Sequence, residues 1–367
     1  MIPNSRPSIG DDELNEVKKV FSSGWLGMGS FVFDFENAVK DYLRAKYVIA
    51  VNTGTSALQI ALDALAVGKD DEVLVPSLTF VGTIQAIIAC GAKPVFCDIE
   101  ENTLNIDIND MRSKITAKTK VIMPVHYGGL ACDMDGLLKT AGEFNLRIVE
   151  DAAHAFGSNY KGRKIGSFGD ITCFSFDPIK NITCGEGGAV ILSDDKLRES
   201  ILQKRILGID KDTWHRYKNE RSWYYEVVVS GFRYHMSNIN AAIGLIQLKK
   251  INKFIEKKRK FCHLYDQEFK NKKEITLLDK DYDQIAPFNY VIKVKKGRDQ
   301  LMEHLKNNAI SAGIHYIPNH QQPLFKPFYR RLPVTESIFG QILTLPLYFD
   351  MQDSDLFKVV EAVKKFF

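Results

Sequence analysis

The chain has 367 residues, 45% of them hydrophobic, with 49 Lys and Arg against 45 Asp and Glu for a formal net charge of +4. That length and apolar content suit two domains, or one large domain with an appendage, and exclude a disordered or fibrous chain. The near balance of charge excludes an extended nucleic-acid surface, and no apolar run approaches the ~18–20 residues of a membrane span.

The first residues, Met-Ile-Pro-Asn-Ser-Arg-Pro-Ser, lack the apolar core of a signal peptide, so a soluble, cytoplasmic protein is expected. Two amphipathic helices open the chain, one with a stripe of Leu14, Val17, Val20 and Phe21, the other with Phe31, Phe35, Ala38, Val39 and Tyr42. Between them Gly24-Trp-Leu-Gly-Met-Gly29 reads as a loop. Short β-rich runs then alternate with helical runs: strands at 47–51, 72–75, 94–97, 120–125 and 146–149, helices at 55–66, near 81–90 and near 133–144. Such alternation requires crossover connections, hence a mostly parallel central sheet flanked by helices.

In sheets of this kind ligands sit beyond the carboxyl ends of the strands. Asn52-Thr-Gly-Thr-Ser-Ala57 follows the first strand and opens a helix, which orients its amides to bind phosphate. Asp151 follows the strand at 146–149 in the same way. A further strand end, Phe174-Ser-Phe176, leads into a loop stiffened by Pro178 and shaped by Gly185, Gly187 and Gly188, before the apolar run Ala189-Val-Ile-Leu192. A rigid loop can deliver the hydroxyl of Ser175 and the amine of Lys180 to one small ligand. A lysine so held can form an imine, and an aspartate beyond a strand can keep a pyridine nitrogen protonated, so the pair points to pyridoxal phosphate (PLP).

From residue 195 the pattern turns helical, with a long helix from Ser237 onward. Its basic stretch, Lys249 to Lys260, is interleaved with Ile251, Phe254, Ile255 and Phe261, and reads as a solvated helix face rather than a nucleic-acid site. The tail adds a strand at 290–294 and a helix at 353–367. No Gly/Ser-rich linker marks a boundary; we place a large PLP-binding domain with N-terminal helices at 1–250 and a smaller C-terminal α/β domain at 251–367. The six cysteines form no C-x-x-C pair and are expected as reduced thiols, and Pro318 between His315 and His320 argues against a metal site there.

Several segments together resemble the sugar-nucleotide aminotransferases of the DegT/StrS family, which have the aspartate-aminotransferase-like PLP fold. They are Gly-Thr-Ser-Ala-Leu at 54–58, Pro-Ser-Leu-Thr-Phe at 76–80, Pro-Val-His-Tyr-Gly at 124–128, Glu-Asp-Ala-Ala-His-Ala at 150–155 and the Phe174 to Gly188 run. Gly-Phe-Arg-Tyr-His-Met-Ser-Asn at 231–238 and His-Tyr-Ile-Pro-Asn-His-Gln-Gln-Pro-Leu-Phe at 315–325 extend the resemblance over nearly the whole chain.

The resemblance implies roles residue by residue. Lys180 binds the cofactor covalently and then serves as the proton-transferring base. Asp151 pairs with the ring nitrogen, His154 lies beside the ring near its phenolic oxygen, and Phe80 stacks on the outer face. Ser175 and the amides of Gly54 and Thr55 hold the phosphate. An obligate homodimer with shared active sites is implied, in which Arg233, His235 and Asn238 reach the partner's cofactor. Many relatives have Asn and Arg where this chain has Arg233 and His235, so Arg233 either takes over the phosphate contact or binds a nucleotide diphosphate. Trp25, Tyr316 and His320 are implied on the substrate side. The implied reaction is amination of a nucleotide-linked 4-keto-sugar by L-glutamate, for amino-sugar and surface-polysaccharide (O-antigen or lipopolysaccharide) synthesis, with a 3-keto-sugar as runner-up. The alternative of another class, an idle PLP-fold regulator, would normally have lost the lysine or the aspartate.

Overall fold

The computed structural model describes residues 1–210 and 225–367. Helix α1 (Asp11–Ser23) and helix α2 (Ser30–Leu43) precede β1 (Tyr47–Val51), α3 (Gly54–Ala64), β2 (Glu72–Pro76), α4 (Val81–Ala89) and β3 (Lys93–Cys97). There follow α5 (Ile108–Ser113), β4 (Thr119–Ile122), α6 (Met134–Phe144), β5 (Arg147–Asp151), the short hairpin β6 (Asn159–Tyr160) and β7 (Arg163–Lys164), then β8 (Ile171–Ser175) and β9 (Gly188–Leu192). Strands β1 to β5, β8 and β9 form one seven-stranded sheet in the order β1-β9-β8-β5-β4-β2-β3. Its strands are almost wholly buried, as a sheet covered by helices on both faces requires.

The β2, β3, β4, β5 and β8 pairings are parallel, as the alternation predicts. Strand β9 departs from it by running antiparallel to both β8 and β1. The cause lies in the connection: residues 176–187 contain no helix to carry the chain back across the sheet, so β9 returns directly beside β8. That return places the Lys180 loop at the carboxyl end of β8.

Helix α7 (Asp195–Lys204) leads to the long α8 (Asn238–Phe269), 32 residues and about 48 Å at 1.5 Å per residue. Residue 250, our sequence-based boundary, lies inside this helix. Ile251, Phe254 and Ile255 pack into the core under the main sheet with Phe35 and Phe176. Phe261, Tyr265 and Phe269 pack into a second core with residues of β10 (Ile275–Leu277), β11 (Tyr290–Val294), α9 (Arg298–Asn307), β12 (Ile342–Leu345) and α11 (Asp353–Phe366), while Ile338 of α10 (Pro333–Phe339) joins a smaller cluster with Leu78, Ile99 and Ile342. Strands β10, β11 and β12 make a separate antiparallel sheet.

Two details correct the sequence reading. In α1, Leu14 and Phe21 are 52% and 61% exposed; Val20 of the stripe is buried as expected, but beside it the helix buries Glu13. Glu13 is drawn inward by Gln247 and Lys250 of α8, whose side-chain nitrogens each lie 2.8 Å from its carboxylate. On α8, Lys258 is not part of the solvated face: it is 6% exposed and donates to Asn181 Oδ1 at 2.7 Å. Among the described residues no helix is long and apolar enough to cross a membrane.

Helices α2 and α8 cross closely at Gly244, where an added Cβ would stand 2.6 Å from Cys184 Sγ and 2.7 Å from the Phe35 ring. Gly244→Ala should therefore destabilise the protein by ~1–3 kcal/mol through overpacking, despite alanine's better helix propensity. A urea midpoint equal to or above that of the parent protein would contradict this account of the crossing.

Candidate active site

Six chain segments converge around a cleft of about 570 Å³, among them the carboxyl ends of β1, β5 and β8. Strand β1 delivers Asn52 and Thr53 to the start of α3, where the Thr53 side chain accepts the Ser56 N–H at 3.0 Å. That cap leaves the first amides of the helix, at Gly54 and Thr55, facing the cleft as unpaired donors with the positive end of the helix dipole behind them. Gly54 permits a close approach to β8: a Cβ there would stand 2.7 Å from Ser175 Cβ. The result is a cradle of two amides and the Ser175 hydroxyl, suited to a phosphate.

Asp151 ends β5, beside Cys173 of β8, and is 4% exposed. Its Oδ2 accepts from Thr83 Oγ1 at 2.7 Å and its Oδ1 from the Ala153 N–H at 3.1 Å. Burial raises its pKa, while these two donors and the charge of Lys180 work the other way. No cation lies within ion-pair distance of it among the described residues, although it lines the cleft. Behind it, Glu150 points to the opposite face of the strand. It accepts from His126 Nε2 at 2.9 Å, Thr172 Oγ1 at 2.6 Å and the Gly169 N–H at 2.8 Å. Since His126 Nδ1 accepts the Cys132 N–H, the proton of this ring is on Nε2.

Across the cleft, the Lys180 ammonium sits 4.4 Å from the centroid of the Phe288 ring. Burial pushes its pKa below the ordinary lysine value, and Asp151 and Asp177 partly oppose the shift. The next residue fixes the loop: Asn181 Nδ2 donates to Ala286 O and Phe156 O at 3.0 and 3.2 Å, and its Oδ1 accepts from Lys258. His154 lies flat on Phe288, with centroids 4.0 Å apart and planes 8° apart. Its Nδ1 accepts the Gly128 N–H at 3.4 Å, and its Nε2 is 2.9 Å from the Tyr316 hydroxyl. Phe80, at the start of α4, is 55% exposed although it lines the cleft, with its ring 5.8 Å from that of Tyr316. An exposed aromatic face at the cleft wall is available for a planar ligand.

The structure thus brings together Lys180, Asp151, His154, Gly54, Thr55, Phe80, Ser175 and Tyr316. It does not bring Trp25, Arg233, His235, Asn238 or His320 into the lining of the same cleft. Asn238 is spent on the turn after α1, donating to Trp25 O at 3.1 Å, while the Trp25 indole donates to Met28 O at 2.8 Å. His235 and Arg233 pair through their backbones with Val51 and Ile206. His320 is fully buried, with Nδ1 2.7 Å from Ser77 Oγ and Nε2 3.3 Å from Glu336, so it braces the 315–325 segment instead of facing the cleft. Sequence reasoning missed Thr83, Phe288 and His315. Thr83 looks like one more helical position after Phe80, and Phe288 sits in a stretch without a motif.

The residues present fit PLP. The buried, cation-free Asp151 matches a protonated ring nitrogen, the Gly54–Thr55–Ser175 cradle a phosphate, Phe80 a ring face, and the desolvated Lys180 amine an aldehyde.

Comparison with known proteins agrees. The family description "DegT/DnrJ/EryC1/StrS aminotransferase family" matches residues 7–364. The spore coat polysaccharide biosynthesis protein SpsC of Bacillus subtilis is 40% identical over 99% of this chain and 96% of its own length. Spr1654 of Streptococcus pneumoniae, solved in a PMP form, superposes with a TM-score of 0.93 at 29% identity, covering 100% of this chain and 98% of that one. The sugar aminotransferase CalS13 of Micromonospora echinospora gives a TM-score of 0.92 at 30% identity over the whole of both chains. The chain belongs to the DegT/DnrJ/EryC1/StrS aminotransferase family, and its cofactor is pyridoxal 5'-phosphate.

Proposed function

We propose that this protein is a sugar-nucleotide aminotransferase that converts a nucleotide-linked 4-keto-sugar to the 4-amino-sugar with L-glutamate as donor. It acts as a cytoplasmic homodimer in the synthesis of amino-sugars for surface polysaccharide such as O-antigen. One observation carries the aminotransferase chemistry: the buried Asp151 carboxylate, without a cationic partner among the described residues, faces Lys180 across a cleft that ends in a helix N-terminus. The sugar substrate is supported by the names of SpsC and CalS13, relatives over nearly the full chain. Carbon 4 rests on His154 beside the ring site, and a 3-keto-sugar is the second reading.

When bound, PLP supplies an electron sink that stabilises negative charge on the substrate carbon. The protein's own groups prepare for that charge. Asp151 holds a proton on the ring nitrogen by pairing with it, and Thr83 with the Ala153 N–H keeps the carboxylate oriented. Lys180 Nζ, desolvated and so more readily neutral than a surface lysine, would take the proton from the substrate carbon and deliver it to the cofactor carbon. His154 is kept neutral by burial first, then by the charges of Lys180 and Lys280. With Nδ1 accepting from Gly128, its Nε2–H donates to the Tyr316 oxygen, so the Tyr316 proton is free to point into the cleft. Arg233 and His235, at the end of the 225–238 segment, are the groups we assign to the partner subunit's cleft.

Adding L-glutamate to PLP-loaded protein should release one 2-oxoglutarate per site and remove the visible absorption band. Absence of 2-oxoglutarate would overturn the donor assignment, and restoration of the band by 3-keto-sugar but not 4-keto-sugar nucleotides would overturn the carbon assignment. Sedimentation should give twice the 41.6 kDa chain mass.

Asp151→Asn should leave the protein folded but lower kcat by about 10²–10³, the usual cost of removing one preorganised electrostatic contact, with weaker cofactor retention on dialysis. An activity within threefold of the parent would remove Asp151 from its role.

His154 and His315 both have depressed pKa values, His315 down to about 4 through burial and the Lys180 charge. The unfolded chain therefore binds more protons than the folded one as pH falls below the ordinary value of about 6.5, and stability is lost in that direction. His154→Gln should flatten the decline of the apoprotein's urea midpoint between pH 7 and 5. An unchanged slope would show that His154 is charged in the folded state.

A further inference from the structure

Behind the segment that carries Asp151 and His154 lies a second hollow of about 530 Å³, between the end of α2, the β6–β7 hairpin and the middle of α8. Lys164 of the hairpin and Arg259 of α8 line it, and among the described residues neither is paired with a carboxylate. Lys260 also lines it but is engaged by Asp353 at 2.9 Å; His263 adds an imidazole, and the acids on the wall are Glu256 and Asp283. Arg259 uses only its Nε in the fold, donating to Ile285 O at 2.8 Å, which leaves its terminal amino groups free of that bond.

Two further features show that the hollow is underfilled with respect to charge and hydrogen bonding. Lys164 is crowded by like charge: burial and then Arg259 and Arg44 hold its ammonium below the ordinary lysine pKa. Its Nζ rests 4.2 Å above the Tyr42 ring, which is itself stacked on Phe156. The Tyr42 hydroxyl is shielded from solvent and has no hydrogen-bond partner among the described residues. It lies against Gly157 on the wall of the hollow, where an added Cβ would stand 3.0 Å from it. A shielded hydroxyl without a partner and two neighbouring cations that form no ion pair are each unfavourable alone.

We propose that this hollow is a binding site for a multiply charged oxyanion of the phosphate class, held by Lys164 and Arg259 with the Tyr42 hydroxyl as a neutral donor. Donors arriving from three separate elements suit oxygens spread around tetrahedral centres better than the two oxygens of a planar carboxylate. The volume admits a diphosphate, which could come as the inorganic ion or as part of a nucleotide.

The test is calorimetric titration of the PLP-loaded protein, whose cofactor phosphate already fills the α3 cradle, with inorganic pyrophosphate and separately with UDP at low salt. Pyrophosphate should bind saturably, and Lys164→Gln and Arg259→Gln should each weaken it about tenfold or more, while Tyr42→Phe weakens it less. Lys164→Gln changes a partly exposed hairpin residue and retains the Arg259 bond to Ile285, so it separates loss of the site from loss of folding. UDP binding that falls in parallel in Lys164→Gln would support the site with a nucleotide as its natural source, and pyrophosphate binding alone would support it with the inorganic ion. No saturable heat with either probe, or an affinity for pyrophosphate unchanged in Lys164→Gln, would overturn the proposal.

Discussion

Everything in the cleft depends on one electrostatic arrangement: a buried carboxylate at the end of β5 and a desolvated amine on the loop after β8, held apart. Asp151 and Lys180 each bear a desolvation cost, visible as a raised carboxyl pKa and a lowered ammonium pKa. Closing the distance would form an ordinary ion pair and quench both groups. The fold prevents that by giving each group other anchors. Thr83 and the Ala153 N–H hold the carboxylate, while the Asn181 bonds and the Phe288 ring hold the lysine loop. A ligand carrying a cationic ring nitrogen and an aldehyde satisfies both groups at once, and this is why the site selects PLP rather than merely tolerating it.

The parts of this arrangement differ in how legible they are in the sequence. Asp151, Gly54, Thr55 and Ser175 are readable because each sits at the end of a β-rich run, where parallel sheets gather their ligands. Lys180 is readable because proline and three glycines mark its loop as rigid. Phe288 and Thr83 are opaque for the same reason that they matter. Each acts through a contact more than 60 residues away, His154 and Lys180 for the former and Asp151 for the latter, and no local pattern encodes such a contact. The antiparallel β9 belongs in between: the missing helix between residues 176 and 187 was visible, but its topological consequence follows only from the sheet.

Helix periodicity misled where polar groups were recruited inward. The stripe of α1 contains Leu14 and Phe21, yet the helix buries Glu13, because Gln247 and Lys250 supply it with hydrogen bonds and charge inside the contact with α8. Lys258 is the counterpart on α8. Its place in a basic run suggests a solvated face, but the fold uses its ammonium to fix Asn181, next to Lys180. Burial holds that ammonium down to about 8, so it is a costly brace and its position is specific.

That brace assigns α8 a mechanical role which neither core explains alone. Its first turn holds the Trp25 turn through Asn238, its middle packs under the main sheet and pins the Lys180 loop through Lys258, and its last turns enter the C-terminal core through Phe261, Tyr265 and Phe269. A continuous helix changes length very little, so a displacement of the C-terminal core along it would be delivered to Asn181 and hence to Lys180. His315 and Tyr316 link the same two regions from the other side, since Tyr127 donates to His315 O, His315 bonds Thr344 of β12, and Tyr316 bonds His154. The position of the Lys180 amine relative to Asp151 is thereby set by the packing of the C-terminal core as well as by the sheet that carries Asp151.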